Sequence, residues 1–187
     1  VFSLLSNQDH KGDNMNSVNR TYAIVGPKIE VSPNVKAIDT FWSSAVADNP
    51  ALNQDHQVRW IGLDEETTLQ IVEYIKSGEK TATFTLPWVN SFNNWANSHV
   101  GLPLIILSCN GEPLLVVQIT EVIETTFGAI DYSVTGLDGP PVRDTAIWLA
   151  LHNGYWNEIL EGQGMTCTSD MPVLVEKFKP VYPVLTL

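Results

Sequence analysis

Lys80 and Thr83, within Gly78-Glu79-Lys80-Thr81-Ala82-Thr83, stand at the end of a helix–Gly turn and the start of a strand, the kind of junction where side chains can project into a cleft. A threonine hydroxyl becomes nucleophilic only beside a group that takes its proton, and a lysine does so only when burial or a neighbouring cation depresses its pKa. Without that setting Lys80 is a snorkelling cation and Thr83 an ordinary strand residue. The run from Thr81 to Leu86 alternates, so in a strand Thr81, Thr83 and Thr85 line one face while Ala82, Phe84 and Leu86 line the other. The hydroxyl face is the candidate cleft wall, and the apolar face is core.

Further candidates follow from their surroundings. Glu121 and Glu176 fall in strand-like segments that should be largely buried, where a carboxylate needs a partner; Lys80, Arg59, Lys177 and backbone N–H groups are available. Arg59 and Trp60, ahead of Gly62, offer a cation and an aromatic platform to a ligand, although Trp60 serves equally well as a staple packing the second helix onto the barrel. His152 shares a helix face with Trp148, Tyr155 and Trp156. A lone histidine among aromatics is more often hydrogen-bonded in a core or lining a cleft than bound to metal, and Tyr155 at a cleft edge can stack on a base. No His or Cys stands at metal spacing from His152, so neither metal nor cofactor is expected. Arg59, Trp60, Glu121, His152 and Tyr155 are thus the candidate substrate contacts.

Three helices and at least four strands must position these groups. Asp39 can cap a helix over about 38–48 that stops before Pro50. Asp64 caps a second over 65–77, with Glu65 and Glu66 at its positive end, Lys76 in its last turn, Gly78 beyond it, and a stripe of Leu69, Ile71, Val72 and Ile75. The third covers about 142–161, with Asp144 as its cap and Trp148, His152, Tyr155, Trp156 and Ile159 on one face. Strand character marks 81–87, 103–109, 113–123 and 171–182. Asn110-Gly111 is the pair a type I′ hairpin turn demands. Residues 1–36 read as a mostly irregular arm, in which Tyr22 and its neighbours can add an edge strand, and 37–187 read as one α+β domain.

Acidic residues outnumber basic ones 21 to 10, a net charge of −11, which opposes any long phosphate backbone and excludes duplex DNA as an expected partner. A local basic pocket can still take a small ligand, because exposed charges are screened beyond roughly 8 Å at physiological salt. No apolar run reaches the roughly 20 residues a membrane span requires. The two cysteines, Cys109 and Cys167, lack CxxC spacing, and their pairing is left open. The opening has no basic stretch ahead of its short apolar run and does not read as an intact signal peptide, so the cytoplasm is the expected location. Because the chain starts on Val1, either an upstream piece precedes it or Met15 is the natural start.

Four segments in order, Gly78–Thr83, Gly111–Val122, W-x3-H-x2-Y-W at 148–156 and Asp170–Phe178, together with Phe41-Trp42, its following Asn49-Pro50, and R-W-x-G at 59–62, resemble the ASCH family of the PUA-like superfamily over roughly residues 38–182. The resemblance implies a mixed β-barrel flanked by about three helices, with a cleft for a nucleoside, nucleotide or short RNA end. Some small bacterial members are similar to amidohydrolases that deacetylate N4-acetylcytidine, and there the Lys and second Thr of K-T-x-T, here Lys80 and Thr83, resemble a base and nucleophile pair. Those relatives carry a Glu in the loop before the third helix. The corresponding loop here, 135–145, has none; Asp138 is its nearest carboxylate and completes the implied catalytic set, while Pro140 stands where the Glu is expected. A non-catalytic RNA-binding or regulatory module, and a structural or partner-binding protein, are the competing readings. Oligomeric state is not legible in the sequence.

Overall fold

The computed structural model describes residues 31–183 together with the short strand β1 (Tyr22–Ala23). The expected irregular arm over 1–36 therefore lies mostly outside the described residues. Five helices and five further strands follow: α1 (Val35–Asp48), β2 (Gln57–Trp60), α2 (Glu65–Lys76), β3 (Ala82–Thr85), α3 (Pro87–Phe92), β4 (Pro103–Leu107), β5 (Pro113–Thr126), α4 (Tyr132–Thr135), α5 (Thr145–Glu161) and β6 (Pro172–Tyr182). They form one six-stranded sheet in the order β1-β2-β4-β5-β6-β3. The pairs β1–β2 and β2–β4 are parallel and the other three antiparallel.

The sheet curls into a half-barrel. In a flat sheet β2 and β6, three places apart, would lie about 14 Å from each other. Yet Arg59 on β2 reaches Glu176 on β6 at 2.5 Å. Two irregularities in the β5–β6 register, at Val116/Val117 and at Ile119/Glu121, supply bends of the kind that extra residues introduce into a strand. The concave side holds a core of Leu104, Ile106, Leu115, Val117, Ile119 and Phe178 beneath Val72 and Ile75 of α2. On the convex side α1 covers Val58, Trp60, Ile105 and Val116, while α5 covers Ala82, Phe84, Val173 and Val175. Instead of closing, the barrel leaves β1 and β3 as its two edges.

Local differences from the sequence reading have identifiable causes. Helix α1 starts earlier than expected, because Asn34 rather than Asp39 is its cap, accepting from Ala37 N at 3.1 Å. On α2, Leu69 is exposed and Thr68 buried: the Thr68 hydroxyl donates to Ile61 O at 2.6 Å, and Gly62, at φ +85°, packs so closely on Thr68 that an added Cβ would lie 2.8 Å from its hydroxyl. The 109–112 hairpin is not type I′. Ser108 N bonds Glu112 O and Gly111 N bonds Ser108 O, closing a three-residue loop in which only Gly111 has positive φ. Strand β2 and the helices α3 and α4 were not foreseen, the last two being too short to show a period.

Candidate functional site

Gly78, at φ +76°, turns the chain out of α2, and Lys80 N closes the turn on Tyr74 O at 2.9 Å. The Lys80 side chain then runs inward: it is 5% exposed, and its ammonium donates to Asp138 Oδ1 and lies 5.5 Å from the centre of the Phe84 ring. Asp138 receives two more donors, Gly139 N at 2.7 Å on Oδ1 and Trp148 Nε1 at 3.0 Å on Oδ2. Burial alone would raise its pKa, but the Lys80 charge and the hydrogen bonds from Lys80 and Gly139 N outweigh it and hold the carboxyl below its usual range.

The loop bearing Asp138 is bonded to the strand entry along its length. Leu137 O accepts from Thr81 N and Ala82 N, and Arg143 donates to Asp138 O at 2.9 Å and to Glu79 O. Against this pair lie the α5 aromatics. His152 stacks on Trp148 with ring centres 3.6 Å apart, and its Nδ1–H donates to Trp148 O at 2.9 Å, the only polarity a carbonyl allows. Burial, opposed by that hydrogen bond and by Asp138, pushes the His152 pKa down to about 4, so the ring is neutral at pH 7 with Nε2 as acceptor. Tyr155 is half-buried, 5.2 Å from His152, and burial raises its phenol pKa.

A second polar network occupies the concave face. Arg59 donates to Gln57 Oε1 at 2.6 and 3.1 Å, to Ser98 Oγ at 2.7 Å and to Glu176 at 2.5 Å, while Thr85 Oγ1 donates to Glu176 at 2.9 Å. Thr83 shares this face. It alternates with Thr85 and is the register partner of Glu176, whereas Ala82, Phe84 and Leu86 enter the opposite core. The Thr83 hydroxyl is half-buried and bonds no other described residue.

The structure therefore joins Lys80 to Asp138 and sets Thr83 apart from them, beside Glu176 and Arg59. Two other expectations change. Glu121 is exposed and pairs with Lys177 at 2.7 Å, because the irregularity at Ile119/Glu121 interrupts the alternation that would have carried it inward. Trp60 is 3% exposed within the core under α1, which leaves no ring face open to a ligand; it packs against α1, not α2. Asp144 caps α5, accepting from Ala146 N and Ile147 N, and both cysteines are free. Sequence reasoning put Thr85 on the hydroxyl face without its partner Glu176, and missed Gln57, Ser98 and Arg143. Only Gln57 left a signal, standing two residues from Arg59 and so on the same strand face. A shallow hollow of about 520 Å³ lies elsewhere, between Lys36, Phe41, Glu112 and Tyr182, and none of the residues above line it. Among the described residues no group of His, Cys, Asp and Glu could hold a metal, and no helix is long and apolar enough to cross a membrane.

No curated protein matches this chain. Two solved structures resemble it in fold: a protein from Enterococcus faecalis V583, 21% identical, with a TM-score of 0.70 over 79% of this chain and 89% of that one, and an ASCH domain from Lactobacillus crispatus JV V101, 18% identical, with a TM-score of 0.71 over 82% and 97%. The ASCH domain family model matches residues 59–182, a span that takes in Lys80, Asp138, Arg59, Glu176 and every strand from β3 onward, and on that match the chain belongs to the ASCH domain family.

Proposed function

We propose that this domain binds a nucleoside-type ligand against Lys80 and Asp138. The observation that carries the reading is the cation and carboxylate held side by side beneath aromatic rings. A base edge that carries both a carbonyl and an exocyclic amine matches such a pair, the ammonium donating to the carbonyl and the carboxylate accepting from the amine. Phosphate groups are poorly served. Among the described cations Arg59, Lys76, Lys80 and Lys177 are each engaged by a carboxylate and Arg143 by main-chain carbonyls, which leaves only the exposed Lys36 and Lys179 without a carboxylate. A nucleoside thus fits better than an RNA end, and a reducing compartment such as the cytoplasm suits the free thiols.

Hydrolysis of an N4-acylated cytidine is the second reading, favoured by the Thr83 hydroxyl, which is half-buried and engaged by no other described residue. In that reaction the hydroxyl oxygen attacks the amide carbonyl, its proton passes to the departing cytosine amine, and water later releases acetate. Lys80 is engaged by Asp138 on the side of β3 away from Thr83, so in this reading it does not take the Thr83 proton.

Wild type, Lys80→Gln and Thr83→Ala are incubated with cytidine and with N4-acetylcytidine, binding being read by calorimetry and acetate release by chromatography. Lys80→Gln keeps a donor for Asp138 while removing the charge. Binding by wild type that Lys80→Gln weakens supports the ligand site. Turnover lost in Thr83→Ala supports the hydrolase. Folded wild type that binds neither cytidine nor its acetylated form rules out both.

A further inference from the structure

From Thr81 to Gly111 the sequence contains no Asp, Glu, Lys or Arg, although the chain as a whole carries a net charge of −11. Most of this stretch is α3 and the connection to β4, rich in asparagine and aromatic residues. Two anchors hold it. Trp88 and Val89 pack into the convex core with Phe84 and Trp156, and on the concave side Gln57 Nε2 donates to Ala96 O at 3.3 Å while Arg59 donates to Ser98 Oγ at 2.7 Å. Between the anchors the backbone is fixed by Trp95 N bonding Asn90 O at 2.8 Å, by Asn90 Nδ2 donating to Asn97 Oδ1 at 2.9 Å, and by Asn94 at φ 55°, a left-handed conformation that asparagine tolerates.

On this fixed segment Phe92 is 58% exposed and Trp95 half-buried. Among the described residues neither faces another ring, whereas Phe41, Trp42, Phe84, Trp148 and Trp156 all do. Two aromatic side chains are thus held by a hydrogen-bonded turn and left without an aromatic neighbour among the described residues. In the same segment Asn94 and Asn97 are exposed residues, and the Asn97 oxygen accepts from Asn90 while no described residue accepts from its N–H groups. The same segment joins the Thr83 face through the chain of hydrogen bonds from Ser98 to Arg59, Glu176 and Thr85.

We infer that the 87–98 segment is a nucleobase platform, on which the base of an unphosphorylated nucleoside stacks against Phe92 and Trp95 with its polar edge toward the asparagine amides. This rests on the nucleoside-binding reading and places part of the recognition on residues that reading does not use. Stacking on an aromatic face tolerates any base, and the neighbouring amides select among base edges. The absence of any cation from Thr81 to Gly111 is what commits the occupant to a nucleoside rather than a phosphate chain.

The test titrates cytidine into the full chain by calorimetry, for wild type, Phe92→Ala, Trp95→Ala and Ile147→Ala, the last an exposed residue of α5, with circular dichroism as the folding control. Because both platform residues are at least partly exposed, their variants are expected to fold. Loss of stacking should weaken cytidine binding about tenfold or more in Phe92→Ala and in Trp95→Ala, leave Ile147→Ala unchanged, and make wild-type affinity indifferent to salt. Wild-type affinity in both platform variants overturns the inference and leaves the ligand site at Lys80 standing. Binding of a short oligocytidylate in preference to cytidine, with affinity falling steeply as salt rises, overturns it in favour of an RNA end. A wild type that binds no nucleoside overturns it together with the proposed function.

Discussion

The two buried ion pairs make different demands on their residues. Arg59 and Glu176 are 6% and 0% exposed at their side chains, and each satisfies the other, so removing one leaves a charge stranded in the core. Arg59→Met should cost about 3–5 kcal/mol, and adding Glu176→Leu should recover most of it, since an apolar pair of similar volume often matches a buried ion pair. Urea unfolding of both variants checks this; equal destabilisation of the single and double variants would show that the pair is not coupled. His152 gives the pH dependence. Its folded pKa, about 4, lies below the ordinary 6.5, so between those values the unfolded chain holds a proton that the folded chain does not. Stability therefore rises with pH across that window and falls by up to about 3 kcal/mol on acidification from pH 6.5 to 4. Asp138, with its carboxyl held low, adds its loss only below its ordinary value of 3.8, where that of His152 is nearly complete. His152→Phe, which keeps the ring stack on Trp148, should flatten the profile between pH 6.5 and 4, as melting temperatures measured across that range would reveal.

At the scale of elements, the β4–β5 hairpin shows how a turn sequence is read by its surroundings. Asn110 and Gly111 suggest a two-residue turn with both residues at positive φ, yet the loop closes over three residues, and only Gly111, at φ +77°, needs its freedom. The N-terminal approach to α1 also lies against Gly111: a Cβ there would sit 2.6 Å from Ser32 O, and Asn34 N bonds Gly111 O at 3.0 Å. Asn110→Ala should change stability by less than about 0.5 kcal/mol. Gly111→Ala should cost at least about 1–2 kcal/mol, combining backbone strain with displacement of the segment before α1. Chemical denaturation of the two variants distinguishes this loop from a type I′ turn, in which Asn110 would matter too.

For the molecule as a whole, charge and curvature pull the function toward small ligands. With a net charge of −11 and its central cations already paired, the domain should show no tight binding to random duplex DNA at physiological salt in an anisotropy assay. Tight binding that weakens steeply with salt would instead require a basic surface that the described residues do not form. The curl matters because it brings β2 beside β6 on the concave side and so assembles Arg59, Ser98, Thr85 and Glu176 from four separate stretches of chain.

Legible in the sequence were the features that depend on near neighbours. The cap at Asp64 and the Gly78 exit from α2 follow from local hydrogen bonding, and the two faces of β3 follow from strand alternation, while the roles expected of Lys80 and Thr83 came from the resemblance of short motifs to the ASCH family. Tertiary structure decided which groups meet. Alternation sent Glu121 inward until the irregularity after Ile119 turned it out to Lys177, and nothing local to Asp138 shows that it would take up the Lys80 ammonium and the Trp148 indole at once. Thr83 stands three residues from Lys80 in the chain and yet belongs with Glu176, because pairing with β6 fixes its partner, and Arg59 reaches that partner only because the sheet curls. Spacing in sequence sets the face a side chain takes, whereas its company depends on register and curvature, which are set by contacts between segments far apart in the chain.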